Sequence, residues 1–425
     1  NDGSVVSWAS LANFPQWDQY VNNVQDQLNS GVIDIVANAD SFAAIKDNGS
    51  VVSWGYGVSD PSFPFPGISS GVIKIKNTYG AFAALKSDGS VVAWGGNQGG
   101  DTSSVSLEIS SGVVDIFSNG WAFAALKEDG SVVTWGAPTA TTTIGQVSNG
   151  ADSSSVQAEL QSGVIDIASA SDWFAALKDD GSVVTWGAIA LPEFASTFNA
   201  VQDQLTSNIS SIYPIFNFPN GTAKQAEQGR TFVAIKSDGS VVTWGPSNDC
   251  ETCISPYDEP TATKLSSDII KVFTGSSTVA ALKSDGSLVT WGESAVGGDS
   301  SSVSAQLSSG VIDVVAGTDS MAALKDDGSV VIWGTNIQGD LPQINSGAIA
   351  LYNTSDAYAA LMDDGTIEVW GNGTASSGPQ ELSGGGFMDM QFNANAGIAW
   401  KSLTGEGTIS YTWTNDNTDI GLAAS

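Results

Sequence analysis

Histidine is absent from the 425-residue chain. Its absence excludes Ser-His-Asp and Cys-His nucleophilic catalysis, and imidazole metal ligation with them. Cysteine occurs twice, too few for the four ligands of a structural zinc site when histidine is missing. Positive charge is scarce: 14 Lys and Arg stand against 45 Asp and Glu, a net charge of −31. Duplex nucleic acid needs clustered Lys and Arg, so no nucleic-acid partner is expected. No apolar run approaches the roughly 18 residues of a membrane-spanning helix, so no membrane insertion is expected either. The opening Asn1 to Trp8 carries no basic-then-apolar leader pattern. Apolar residues still make up 41% of the chain, which places it among globular proteins.

What the sequence has in abundance is repetition. Trp8, Trp54, Trp94, Trp135, Trp186, Trp244, Trp291, Trp333, Trp370 and Trp413 recur 37 to 58 residues apart. A version of Phe-Ala-Ala-Leu-Lys-x-Asp-Gly-Ser-Val-Val-x-Trp-Gly contains each internal one, as at 82–95, 123–136 and 174–187. Upstream lies Gly-Val-Ile-Asp-Ile, at 31–35, and variants of it open units at 71, 112, 163, 268, 310 and 347, each 23 residues before its Trp. The fifth unit starts near Asn208 and carries an insertion, and the ninth starts near Gly386. A constant core with variable connections predicts about nine stacked or radial units, plus an N-terminal fragment holding one last strand.

Within a unit, short β-branched runs bounded by Gly and Asp predict strands of about five residues. Asn48-Gly49, Asp88-Gly89, Asp129-Gly130 and their counterparts join two of these strands, which predicts tight hairpins of type I′. The paired alanines predict a thin, closely packed strand, and the Trp a large apolar filling between neighbouring sheets. Linker pairs at i, i+4 (Val24/Leu28, Val105/Ile109, Val156/Leu160, Val201/Leu205, Val303/Leu307) predict short helical turns. Asp101, Asp152 and Asp299 precede three of them as caps.

Gly-Val-x-x-Ile followed by x-x-Ala-Leu-x-x-Asp-Gly-x-Val-x-x-Trp-Gly resembles the regulator of chromosome condensation repeat family over residues 1–402. The resemblance implies an all-β propeller, seven blades being the family norm. Secreted propeller-type β-lactamase inhibitor proteins look similar, sharing the Ser-Gly-Val and Ala-Leu-Lys elements. The family often has His before the second strand, where this chain has Ser41, Ala81, Ala122, Trp173, Thr231, Thr278, Ser320, Ala357 and Ala396. No functional residue of the nuclear member carries over. Residues 403–425 form either a divergent closing strand or the start of an immunoglobulin-like domain, because 407–420 is similar to the opening strands of bacterial surface repeats. Both ends stop mid-unit, which points to a segment of a longer chain with neighbouring domains.

Lys46, Lys86, Lys127, Lys178, Lys236, Lys283, Lys325 and Lys401 share one repeat position. A catalytic site is singular, so these read as solvated residues flanking the turn Asp. Asp-Asp-Gly at 179–181, 326–328 and 363–365 reads as turn structure rather than an acid/base pair. No catalytic residue, metal site or cofactor is assigned. Calcium is the one cation so acidic a chain invites, and Asp416-Asn417-Thr418-Asp419 is its nearest local cluster. Cys250 and Cys253 lie between Pro246 and Pro256 and are expected to form a local disulfide, with free thiols the alternative. Linker aromatics, among them Phe14, Trp17, Phe63, Phe194, Tyr213 and Tyr257, read as clamped under their own loops, the alternative being that some line a contact face.

Together these features predict a non-enzymatic, extracellular or cell-surface structural or adhesion module of a large bacterial surface protein, capable of self-association. The inhibitor resemblance implies an alternative, a propeller that captures or inhibits one partner protein. The first strand, Asp2 to Trp8, needs a pairing partner from the last unit of its own chain or from another copy.

Overall fold

A computed structural model describes residues 5–9, 22–38, 41–55, 66–96, 98–137, 139–142, 145–148, 150–187, 198–215, 231–245, 264–275, 278–317, 320–334, 343–353, 357–371, 387–393, 396–401 and 420–424. Among them the fold is all-β and of propeller type. Eight antiparallel three-stranded sheets follow one another along the chain, and a ninth sheet has two strands, Phe387–Asn393 and Ala396–Lys401. Unit one is representative: Val32–Ala37 pairs with Ser41–Lys46, which pairs with Val51–Gly55. The same three-strand order recurs through unit eight, Ala348–Asn353, Ala357–Met362 and Ile367–Gly371.

The middle strand is covered on both faces, and its residues explain how. Ala43, Ala44, Ala83, Ala84, Ala124 and Ala125 are wholly buried. One face of each sheet presents small residues and the other presents large ones. Ala43, Ile45 and Val51 of unit one pack on Phe82, Ala84 and Trp94 of unit two. Ala81, Ala83, Leu85 and Val91 of unit two then pack on Phe123, Ala125 and Trp135 of unit three. In the large faces of units one to five the cross-strand Phe and Trp rings stack, at 5.4 Å for Phe82 and Trp94 and 5.2 Å for Phe174 and Trp186, and Tyr358 stacks on Trp370 in unit eight. Such a pair adds about 0.5–1.5 kcal/mol beyond the apolar area it buries.

The hairpins differ from the expected type I′. The Gly49 N–H donates to the Lys46 carbonyl and the Lys46 N–H to the Ser50 carbonyl. Gly49 has φ +74°, whereas among the described residues Asn208 and Asp268 are the two non-glycines with positive φ. The loop is therefore three residues with one left-handed glycine, and not a two-residue loop with both centres left-handed. Asp or Asn before the glycine serves another purpose. Its Oδ1 accepts the N–H of the residue two further on, at 2.9 Å for Asn48 and Ser50 and 3.0 Å for Asp88 and Ser90.

The turn glycine also touches the next unit. Its carbonyl accepts the N–H of that unit's opening strand in seven successive junctions, from Val72 onto Gly49 to Ala348 onto Gly328, at 2.9–3.1 Å. A Cβ on Gly181 would lie 2.7 Å from the Asn208 nitrogen, and one on Gly239 would lie 2.3 Å from that of Asp268. The opening residue of each unit is itself left-handed: Gly71 at +83°, Gly163 at +77°, and Asn208 and Asp268 at +63° and +68°. Asn and Asp are the side chains that best tolerate this region.

Linkers fold back on the same framework. Leu28, Ile109, Leu160, Leu205 and Leu307 are buried, each at the end of a short helical turn as the i, i+4 pairs predict. Gln25–Leu28 is α-helical, while the turns at 154–156, 159–161, 202–204, 301–303 and 306–308 are 3₁₀. The Asp101, Asp152 and Asp299 carboxylates accept the N–H of Ser103, Ser154 and Ser301 at 2.8–2.9 Å, although the cap positions of the 3₁₀ turns are Ser153 and Ser300, one residue after the expected Asp. In the three units that follow the Gly-rich linkers, Trp135, Trp186 and Trp333 donate Nε1–H to the carbonyls of Gly99, Gly150 and Gly297.

Neighbour relations run from one end of the chain to the other. Val5–Ala9 pairs antiparallel with Ile420–Ala424, Val5 opposite Ala424, and the latter strand contacts Ala396–Lys401 of unit nine. Val5 packs on Phe42, Ala44 and Trp54 of unit one, in the place that Val51 takes on unit two. The first strand is thus held by the same chain. The 402/403 boundary, Trp413 and the 407–419 stretch lie outside the described residues.

The turn contact predicts an asymmetry between two substitutions. Gly181→Ala should destabilise by about 2 kcal/mol or more, combining left-handed strain of about 1–2 kcal/mol with the clash against unit five. Asn208→Gly should be neutral or stabilising by up to about 1 kcal/mol. Urea denaturation of both variants checks the pair; equal small effects would contradict the packing described.

Candidate interaction surface

The repeated polar residues are drawn into the framework. Lys46, Lys127 and Lys178 donate Nζ–H to the carbonyls of Gln27, Glu108 and Glu159, at 2.6, 2.9 and 2.8 Å. Those carbonyls directly precede the buried Leu28, Ile109 and Leu160, so each lysine ties its hairpin to its own linker turn. The hairpin lysines also stand beside the turn Asp, as expected, with Lys86 3.4 Å from Asp88 and Lys127 and Lys178 acting on Asp129 and Asp180; the bond to the linker is the added role. The turn carboxylates are acceptors for a neighbouring serine or threonine. Ser182 Oγ–H and N–H reach Asp180 at 2.6 and 2.9 Å, and Thr366 reaches Asp364 at 2.6 and 2.8 Å.

These bonds stabilise the charged form. The hydroxyl and N–H of Ser90, with a smaller contribution from Lys86, bring Asp88 down to about 2. Asp129, Asp180, Asp238, Asp285, Asp327 and Asp364 are lowered in the same way. All of them favour a permanent anion, the opposite of a general acid poised near neutrality.

A second set of charges lies on the opening strands. Lys74 meets Asp115 at 2.6 Å and Lys271 meets Asp313 at 3.1 Å, each pair joining consecutive units at the same repeat position. Lys271 also stands 4.4 Å from the centre of the Phe273 ring. Burial raises Asp34 and lowers Lys76, with the Asp34 shift opposed by the Ile35 N–H and by Lys76. The pairs are partly exposed, so each contributes at most about 1 kcal/mol. They match neighbours in order, which the sequence reading missed by following the hairpin lysines alone.

Between the first and second strands, Tyr79 meets Trp121 edge to face at 5.3 Å. The Tyr79 N–H donates to Gly120 and the Gly120 N–H to Ser171, linking three successive units at these loops. Burial and the Asp172 charge raise the Tyr79 phenol. Of the linker aromatics singled out in sequence, Tyr213 is partly buried against the junction of units five and six. Phe14, Trp17, Phe63, Phe194 and Tyr257 lie outside the described residues, as do Cys250, Cys253 and Asp416 to Asp419. Among the described residues no three His, Cys, Asp or Glu cluster as metal ligands, and no helix is long and apolar enough to cross a membrane.

One repeated position that projects from the framework is apolar. Each opening strand carries a β-bulge after its first residue, between Val32 and Asp34 in unit one and at the same place in the others. Asp34, Asp115 and Asp166 turn their own Oδ1 onto the following N–H at 2.6–2.8 Å, satisfying the disrupted ladder. The bulged residue is turned outward: Ile33, Ile73, Val114, Ile165, Ile270, Ile312 and Ile349 are 51–67% exposed. In sequence these sit inside an apolar run. The Asp two residues after the opening Val was the available signal in four units, though Lys, Ser or Ala replaces it in the others.

No family model matches the chain, and no curated protein does. Solved structures similar to it include the Physcomitrella patens receptor kinase CR4 ectodomain, 14% identical over 73% of this chain and 74% of that one, TM-score 0.37. Human WBSCR16 is 16% identical over 69% and 87%, TM-score 0.38. Prp20p from Saccharomyces cerevisiae is 15% identical over 83% and 74%, TM-score 0.35.

The turn carboxylates predict an acid response of definite sign. Their folded pKa values lie below the unfolded value of about 3.9, so their stabilisation is present above about pH 4 and is lost as the pH falls towards about 2. Asn at the turn keeps the Oδ1 acceptor without the titration, as Asn48 does naturally. A triple Asp88→Asn, Asp129→Asn, Asp180→Asn variant should therefore lose less stability between pH 4 and pH 2 in urea melts. An unchanged or steeper loss contradicts this account of the turns.

Proposed function

We propose that the chain is a non-enzymatic, protein-binding propeller acting as an extracellular structural or adhesion module of a bacterial surface protein. The observation that carries the reading is how the repeated side chains are spent. Lysines Lys46, Lys127 and Lys178, and the turn carboxylates, satisfy backbone groups, while the repeated position at the bulge turns an aliphatic side chain outward in seven units. Aliphatic side chains offer contact area and no reacting group. The net charge of −31 supports a role in which the array stays soluble and repels nucleic acid. The reading needs no cofactor.

Two measurements in the source cells test it. Antibody against the chain should label intact cells as strongly as permeabilised ones, and short-arm cross-linking should join the chain to protein, either its own copies or a partner. A strictly cytoplasmic product contradicts the extracellular assignment. A chain that cross-links to no protein contradicts protein binding.

A further inference from the structure

The bulge gives the array a surface that the framework does not use. Six of the exposed aliphatics follow a residue whose N–H is bonded to the turn glycine of the preceding unit, as Ile73 follows Val72 on Gly49 and Ile165 follows Val164 on Gly130, and Ile33 has the same place in the bulge of unit one. The aliphatics therefore stand beside the hairpin turns, all at the same end of the sheets. From Lys46 to Thr366 the eight turns carry twelve carboxylates and seven lysines, and three of those lysines are engaged by linker carbonyls. The result is a row of Ile and Val bordered by net negative charge.

Nothing in the backbone requires an aliphatic there. Unit five has Ser210 at the same position, its Oγ–H donating to the Ile235 carbonyl at 3.0 Å, and its bulge is intact. Side chains of this size expose roughly 50–100 Å² each, so the four before Ser210 amount to on the order of 200–400 Å² and the three after it to roughly 150–300 Å². The longer arc alone overlaps the size of the largest apolar patch of an ordinary monomer, about 300–600 Å². The two arcs together stay below the roughly 800 Å² that one partner contributes to a stable interface.

Charge selects the occupant. A second copy docked on the same face would set acidic turns against acidic turns. A segment whose apolar side chains alternate with Lys or Arg meets both the row and its border. The geometry points to the turn-side face, with Ile33, Ile73, Val114 and Ile165 as one arc and Ile270, Ile312 and Ile349 as another, as the docking surface for a basic, amphipathic protein segment. This inference rests on the protein-binding reading above and names the face and the partner chemistry.

The test uses the full chain and two synthetic 21-residue peptides of equal charge, one alternating Leu with Lys in amphipathic order and one with Ser in place of Leu. At physiological salt the Leu/Lys peptide should bind at least tenfold more tightly than the Ser/Lys peptide. Ile73→Ser, Val114→Ser and Ile165→Ser combined should lower that affinity tenfold or more with net charge unchanged. Ser210→Ile, which fills the gap between the arcs, should raise it about two- to threefold, and provides a readout should the triple variant fold poorly. Equal binding of the two peptides, or an unchanged affinity in the triple variant, overturns the assignment. If either occurs while cross-links to protein persist in cells, this face is wrong and the protein-binding reading stands. Absence of those cross-links removes the reading itself.

Discussion

The contact between each hairpin-turn glycine and the opening backbone of the next unit constrains the rest of the architecture. It combines a hydrogen bond of 2.9–3.1 Å with an approach that leaves no room for a Cβ. The turn must therefore end in a left-handed glycine, and a three-residue loop supplies one where a type I′ turn would demand two left-handed residues. The opening residue it meets is left-handed as well, which is why Gly yields there to Asn208 and Asp268. The bulge follows directly, displacing one side chain outward next to the latch, and Asp34, Asp115 and Asp166 satisfy the N–H it strands.

With the sheets latched at one edge, their faces are held close enough for large-on-small packing. Phe and Trp from one unit fill the space that two alanines leave in the one before it. Polar side chains then have structural duties at nearly every repeat position, with hairpin lysines bracing linker turns and turn carboxylates bracing their own loops. Function is left to what varies and to what projects: the linkers, and the repeated aliphatics at the bulges. Ion pairs Lys74–Asp115 and Lys271–Asp313 add matching between particular neighbours in an otherwise uniform array.

Much of the fold was legible in the sequence because repetition multiplies weak signals. Strand triplets, the Trp filling and the linker turns all follow from spacing, and the start of the fifth unit at Asn208 is readable in its sequence despite the insertion that breaks its spacing to Trp244. The hairpin type was not legible, since Asp-Gly suits two loop geometries and the inter-unit contact decides between them. The lysine role was hidden for a similar reason: Lys178 and Glu159 are 19 residues apart and meet through a linker turn. The exposed Ile row was missed because a bulge breaks the two-residue alternation from which inside and outside are read. Of the aromatics that sequence placed in linkers, Tyr213 belongs instead to the opening strand of unit five and is partly buried.

The central claim is that the turn glycines join units into one cooperative array, and amide hydrogen exchange tests it most directly. The N–H groups of Val72, Val113, Val164, Ile209, Ile269, Val311 and Ala348 are the donors at the seven junctions. If the junctions hold the array together, these amides should be protected as strongly as those of the buried middle strands, such as Ala84 and Ala176. Exchange at the rate of a solvent-exposed turn residue such as Asp88, with the middle strands still protected, would mean that the units fold without the latch and would contradict the account.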